Sequence, residues 1–200
     1  MFVVFEGIDG AGKTTQLHML ERAMAARGYG PVVVREPGST RIGEAIREVL
    51  LSPSCPEMAP ATEALLYVAA RAQAVAELVR PALAGGRPVL ADRFSASTMA
   101  YQGYGRGLDL TVLREVNRLA TGGLAPDLTI LLDLDPEEAM ARLRAGKRRD
   151  RLEQETIAFY TRVREGYLEL AAQEGYLVLD ATLPPGEIAC EILEEVLGRV

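Results

Sequence analysis

The 200-residue chain has no tryptophan, a single histidine (His18), two cysteines and only two lysines, Lys13 and Lys147. One histidine argues against a Ser-His-Asp triad, and Cys55 and Cys190 stand far apart with no second Cys or His at zinc-ligand spacing. Aromatic residues make up only 6% of the chain, and no uninterrupted apolar run approaches the roughly 20 residues needed to span a membrane. The apolar opening Met1–Glu6 has no basic flank and is too short for a secretory leader, so a cytoplasmic location with no membrane partner is expected. An excess of positive charge is also missing. Lys+Arg 22 against Asp+Glu 28 gives a net charge of -6, which argues against a surface that neutralises nucleic-acid phosphates and leaves room only for a local basic patch.

What is present is an ordinary globular composition, 48% apolar and 25% charged, at a length that fits one domain over residues 1–200. Short Val/Ile/Leu-rich runs alternate with helix-period segments, the rhythm of a parallel sheet covered by helices. Strands are expected at Phe2–Glu6, Val32–Arg35, Pro88–Ala91, Leu128–Leu134 and Tyr176–Asp180. They lack strict alternation, as strands buried on both faces do. Helices are expected near 13–27, 40–51, 60–83, 109–121, 136–145, 152–174 and 186–198. Asp135-Pro136-Glu137-Glu138 reads as a helix start, with Asp135 as the cap. The breaker cluster Ser52–Pro56 and the basic stretch Arg142–Arg151 read as surface loops.

Directly after the first strand, and opening the first helix, Gly7-Ile8-Asp9-Gly10-Ala11-Gly12-Lys13-Thr14 fits G-x-x-x-x-G-K-[ST]. Glycines let consecutive N–H groups turn inward onto phosphate oxygens, and the helix N-terminus adds its positive end. Lys13 then neutralises the β- and γ-phosphates, and the Thr14 hydroxyl is a hard oxygen donor suited to Mg²⁺.

Ligands of open parallel sheets bind beyond the carboxyl ends of the strands. The second strand ends in Arg35-Glu36-Pro37-Gly38 and the third in Asp92-Arg93-Phe94, which gathers two arginines and two carboxylates near the phosphate loop. On the third helix Leu65, Val68, Ala72, Val75, Val79 and Leu83 form an apolar stripe, with Tyr67 and Arg71 as an i, i+4 pair on its shoulder. That pair suits a nucleotide base and a phosphate; a half-buried tyrosine beside a solvated arginine explains the spacing equally well. The stretch Arg142, Arg144, Lys147, Arg148, Arg149, Arg151 sets six positive charges against Asp150 and reads either as a lid over phosphates or as a solvated face.

The phrases FEGIDGAGKTTQ, REPGSTRIGEAIRE, ALLYVAARAQ, ADRFSASTMAYQG and DRLEQE occur in the order and spacing of the thymidylate kinase family, and almost the whole chain resembles it. The resemblance implies a three-layer α/β/α P-loop NTPase fold of nucleoside monophosphate kinase type, with a five-stranded parallel sheet and a short basic lid at about 142–151. It implies phosphoryl transfer from ATP to dTMP with Mg²⁺, and a homodimer. ATP would lie on Gly7, Ile8, Asp9, Gly10, Ala11, Gly12, Lys13, Thr14, Thr15 and Arg142. Asp9, Arg35 and Arg71 would hold the dTMP phosphate and sugar, with Glu36 and Pro37 beside them and Tyr67 stacked on thymine. Ser97, Thr98 and Gln102 would lie along the base, and Tyr101 would crowd the 2′ position. Arg93 would bridge donor and acceptor phosphates, while Thr14, Asp9 and Asp92 would serve the metal. The loop position that carries an arginine in one branch of the family is Ala11 here, which points to the lid branch and to Arg151. Three departures stand out: Tyr67 replaces a usual Phe, Ser39 a usual Gly, and Phe94 a Tyr or His. A UMP/CMP or deoxynucleoside kinase is the nearest alternative; a regulatory GTPase would carry an N-K-x-D motif, which the chain lacks.

Overall fold

The computed structural model describes residues 1–144, 151–152 and 154–199. Among the described residues, five strands, β1 (Phe2–Glu6), β2 (Val32–Arg35), β3 (Val89–Asp92), β4 (Leu128–Asp133) and β5 (Leu177–Asp180), form one parallel sheet in the order β2-β3-β1-β4-β5. All five residues of β1 are buried, with Val3 and Phe5 in one apolar cluster and Phe2 and Val4 in another. Helices on both faces provide that cover, which is why the strands read as continuous apolar runs.

The helices are α1 (Lys13–Ala25), α2 (Arg41–Leu51), α3 (Pro60–Ala74), α4 (Arg80–Ala84), α5 (Ser95–Thr98), α6 (Leu110–Thr121), α7 (Pro136–Arg144), α8 (Ile157–Glu174) and α9 (Pro185–Leu197). Thr40, Asp109 and Thr156 cap α2, α6 and α8 with their side chains, and Asp135 accepts from the Glu137 N–H at the start of α7, as its sequence suggests.

Four sequence expectations are corrected. The helix expected at 60–83 is broken by a π-helical segment, Val75–Val79, ahead of α4, where Pro81 has no N–H to continue the ladder. Its apolar stripe is also rotated: Leu65 is 58% exposed, while the buried line runs through Ala64, Val68, Arg71 and Val75. Second, residues 95–105 are helical, with α5 passing into a π-helical segment, Met99–Gly105. Serines, a threonine and two glycines hide this helix from propensity, and packing on α8 imposes it. A Cβ on Gly105 would lie 2.7 Å from the Phe159 ring, so the close approach needs glycine. Third, α8 begins at its Thr156 cap and not near 152. Fourth, the basic stretch is not all surface loop: α7 runs to Arg144, the Arg151 side chain is only 11% exposed and Leu152 is buried. The expected lid residues 145–150 lie outside the described residues.

Candidate active site

Sheet register assembles the site. Phe5 pairs with Asp92 and Asp92 with Arg35, so the ends of β1, β3 and β2 deliver Glu6, Asp92, Arg93, Arg35 and Glu36 to one edge. The phosphate loop leaves that edge between β1 and α1. Gly7 has φ +136°, and a Cβ there would meet the Leu132 carbonyl oxygen at 2.5 Å; a Cβ on Gly10 would meet the Ala139 carbonyl at 2.9 Å. The loop packs this tightly against β4 and α7 only because both positions are glycine. Lys13 folds back to donate to the Ile8 carbonyl at 2.8 Å. Its burial, helped by nearby Arg93, lowers the ammonium pKa to about 8 against the opposing pull of Asp9, Asp92 and Glu6. Thr14 Oγ1 donates to Asp92 Oδ2 at 2.6 Å, so a hydroxyl and a carboxylate stand together at the loop's mouth.

Arg93 is the hub. Its backbone is left-handed, φ +76°, unusual for a residue with a side chain and costing on the order of 1–2 kcal/mol. The turn is held from beneath by Glu6, fully buried, whose carboxylate accepts from the Phe94 and Ser97 N–H groups and from the Ser97 and Tyr167 hydroxyls. Burial raises the Glu6 carboxyl pKa, with Arg93 and these donors opposing. The Arg93 guanidinium donates to the Gly7 carbonyl, to Ser97, Tyr167 and Tyr101, and to Asp9 Oδ1 at 2.6 Å. Asp9 Oδ2 accepts from Tyr101 and Tyr160. Burial would raise the Asp9 pKa, but Arg93 and Lys13 overcome it and bring the carboxyl to about 2.

A second buried cluster lies behind the end of β2. Arg71, only 1% exposed, donates through Nε to Glu36 Oε2 at 2.7 Å, through Nη1 to Thr98 and Asn117, and through Nη2 to the Phe94 carbonyl. Neither reading of Arg71 from helix geometry matches this: it is not solvated, and its guanidinium is committed to protein acceptors. Glu36 Oε1 is buried without a partner among the described residues, and burial raises the carboxyl pKa to about 7 despite Arg71.

The third cluster centres on Glu63 in the first turn of α3. Its carboxylate accepts from Gln102 Nε2 at 2.8 Å and from Arg106, and it ion-pairs with Arg151 at 2.6 Å. Burial pushes this carboxyl up, but Arg106, Gln102 and Arg151 more than offset it and hold it below the ordinary range. Arg151 also donates from Nε to the Leu50 carbonyl and from its backbone to Leu51. It is thus joined to α2 and α3 and not to the phosphate loop.

Two cavities meet at this edge. The first, of about 490 Å³ with its mouth included, is lined by Asp9, Glu36, Pro37, Tyr67, Arg93, Ser97, Thr98, Tyr101 and Gln102, together with Arg47, Leu51 and Leu152. The second, of about 1020 Å³, follows the phosphate loop from Asp9 and Gly10 through Gly12 to Thr15, and on to Arg35, Asp92 and Leu143. Asp9, Glu36, Arg47 and Arg93 line both. Arg35 is 47% exposed and paired with Glu44 at the rim of the second, and Arg142 reaches the Gly10 and Ala181 carbonyls along its edge. Most residues expected at the site in the described part of the chain line one of these cavities; Gly7, Ile8 and Ala11 instead form the buried base of the phosphate loop, Arg142 stands at the edge, and Arg71 and Arg151 lie one layer behind.

Sequence reading missed Glu6, Arg47, Glu63, Tyr160 and Tyr167. Arg47, which donates to the Pro37 carbonyl at 2.8 Å, lies one helical face from REPG and was legible in principle. The two tyrosines, seven apart on α8, form an inward line whose target only the fold reveals.

The profile of the thymidylate kinase family matches residues 5–192. A thymidylate kinase of Desulforudis audaxviator is 57% identical, over 98% of this chain and 90% of its own length. Those of Pelotomaculum thermopropionicum and Deinococcus radiodurans are each 50% identical, covering 98% and 100% of this chain and 94% and 97% of their own. Relatives this similar, aligned nearly end to end, share more than the phosphate loop common to many nucleotide-binding folds, and with the profile match they show that the chain belongs to the thymidylate kinase family.

Proposed function

We propose that the protein transfers the γ-phosphoryl group of ATP to dTMP, forming dTDP and ADP, with Mg²⁺. The observation that carries this reading is the junction of a phosphate-loop crevice with a tyrosine-walled cavity through shared Asp9, Glu36, Arg47 and Arg93. Two nucleotides bound on either side would meet phosphate to phosphate, the arrangement in-line transfer requires.

The acceptor is itself an anion, so the obstacle is repulsion and no strong base is needed. Lys13 and Arg93 neutralise charge on the transferring group. Arg35 and Arg47 hold the acceptor phosphate from the rim, and Tyr67 stacks on the base while Ser97, Thr98 and Gln102 border it. Tyr101 crowds the sugar. Glu36 Oε1, a buried acceptor with no donor among the described residues, suits a sugar hydroxyl. Arg71 contributes from behind the wall by holding Glu36 and Thr98. Gly7–Thr15 and Arg142 serve ATP. Thr14 and Asp92 fit Mg²⁺, a hard cation commonly held by one carboxylate, a hydroxyl and the phosphates, and when bound it supplies neutralising charge. The Asp9 oxygens are engaged by Arg93, Tyr101 and Tyr160, so Asp9 is assigned to positioning Arg93 and not to the metal. Arg151, one layer behind the acceptor wall and ion-paired with Glu63, is assigned to holding that wall; Arg151→Ala is expected to raise the KM for dTMP more than it lowers kcat, and an unchanged KM removes it from the site.

Ile42 and Val49 on α2, Leu65 on α3 and Val112 and Leu119 on α6 are exposed apolar residues on helices that pack side by side. Their seven-residue spacings within α2 and α6 keep each pair on one face, which supports a homodimer through these helices. No described helix is long and apolar enough to cross a membrane, and both cysteines are free, which favours the cytoplasm. Partners are the small nucleotides ATP and dTMP and not nucleic acid, in keeping with the net charge of -6.

Coupled measurement of ADP formation with dTMP, UMP, CMP and thymidine as acceptors tests the reading. Strong preference for dTMP is expected; ADP formation indifferent to dTMP would overturn it.

A further inference from the structure

Glu63 touches neither cavity, yet it is 1% exposed and binds a residue that lines the acceptor cavity, Gln102. An ionised carboxylate can only accept hydrogen bonds. Facing Glu63, the Gln102 amide therefore has one stable orientation, with Nε2 toward the carboxylate at 2.8 Å. The reverse would set a carbonyl oxygen against a carboxylate in a buried site, losing a hydrogen bond and adding repulsion. Arg106 and Arg151 keep the carboxylate charged and fixed, and the Gln102 backbone carbonyl is tied to the Leu108 N–H, so the side chain has a rigid base. Gln102 Oε1 takes no hydrogen bond from the described residues. The cavity wall at Gln102 consequently presents an acceptor.

We propose that Glu63 is a specificity-positioning residue: by taking the Gln102 amide N–H it turns the Gln102 carbonyl toward the acceptor nucleotide, so that the site selects a pyrimidine whose N3 carries a hydrogen. Thymine and uracil have that N–H. Cytosine has a bare N3 acceptor, which would oppose the carbonyl and leave both unpaired, a mismatch of the kind that gives large discrimination in buried polar sites. The inference rests on the proposed reading in which Gln102 borders the base. It also states what Glu63 does not do, because nothing in it separates thymine from uracil.

The test compares kcat/KM for dTMP, dUMP and dCMP in the wild type, Glu63→Gln and Glu155→Gln. Glu155 pairs with Arg106 at 2.6 Å and so perturbs the same ionic cluster without touching Gln102. A glutamine at 63 can offer either end of its amide, which frees Gln102 to turn over. The dTMP:dCMP ratio is expected to fall at least tenfold in Glu63→Gln and to hold within about twofold in Glu155→Gln, with dTMP:dUMP unchanged in both. Equal losses on dTMP and dCMP in Glu63→Gln would show a merely structural role and overturn the proposal. If that variant does not fold, the wild type still decides: dCMP turned over within tenfold of dTMP also overturns it. A wild type that phosphorylates none of the three would instead remove the kinase reading beneath, a result distinct from an active enzyme whose preference survives the substitution.

Discussion

The acceptor and donor sides of the site hold similar charges in opposite ways. Around the acceptor cavity, Arg71 and Arg93 are 1% and 14% exposed at the side chain, and each is locked to a carboxylate before any ligand arrives. Along the phosphate loop, Arg142 is 37% exposed, and its ion pair is with Glu138 on the surface of the same helix. Buried pairs are costly to break because one partner is left as an uncompensated charge, whereas exposed pairs contribute little to stability. The acceptor side is thus preorganised for one shape of ligand. The donor side leaves Arg142 available to a flexible triphosphate, and the glycine-shaped loop supplies the rigidity there.

If this division is correct, substitutions on the two sides should fail differently. Lys13→Ala, on the donor side, is expected to reduce kcat by on the order of 10³-fold while the melting temperature changes little, measured by the coupled assay and thermal unfolding. A large loss of stability would blur the distinction.

Arg71→Met is the complementary case. It strands the Glu36 carboxylate, so unfolding free energy should drop by about 3–5 kcal/mol at pH 8. The Glu36 carboxyl, already raised to about 7 with Arg71 present, rises further without it, so the loss should shrink as pH falls and Glu36 becomes neutral. Adding Glu36→Gln should restore part of the stability at pH 8. Denaturant titrations at pH 6 and 8 check both statements, and a pH-independent loss would assign the cost to packing alone.

A smaller effect sharpens the donor side. With the Lys13 pKa near 8 in the unliganded protein, its ammonium loses the proton as pH rises through that value, while phosphate oxygens favour the charged form. ATP affinity should be level below about pH 7 and weaken by up to about tenfold per unit above pH 8, with proton uptake on binding detectable by calorimetry in different buffers. Lys13→Arg, charged throughout, should abolish that pH dependence even if affinity falls.

Much of the fold was legible because its signals are local. The five strands were placed to within a residue or so at each end, since a sheet buried on both faces leaves uninterrupted Val/Ile/Leu runs. The helix at 95–105 was not, because its stability comes from Gly105 packing under Phe159 and from α8, partners more than fifty residues away. The same distinction divides the site. Lys13, Thr14, Asp92 and Arg93 follow from motif and strand end, but Glu6 reads as an ordinary strand terminus and Glu63 as a first-turn acid.

The sequence by itself determined the phosphate loop, the strand–helix alternation and the family, all carried by spacings along the chain. Only the tertiary structure decided which charges are buried together: that Arg71 faces Glu36 and not a cavity, that Arg151 is held by Glu63, and that Glu63 orients Gln102. The physical reason is that burial and charge pairing join residues distant in sequence, and their energies depend on local solvation and geometry, which spacing alone does not specify.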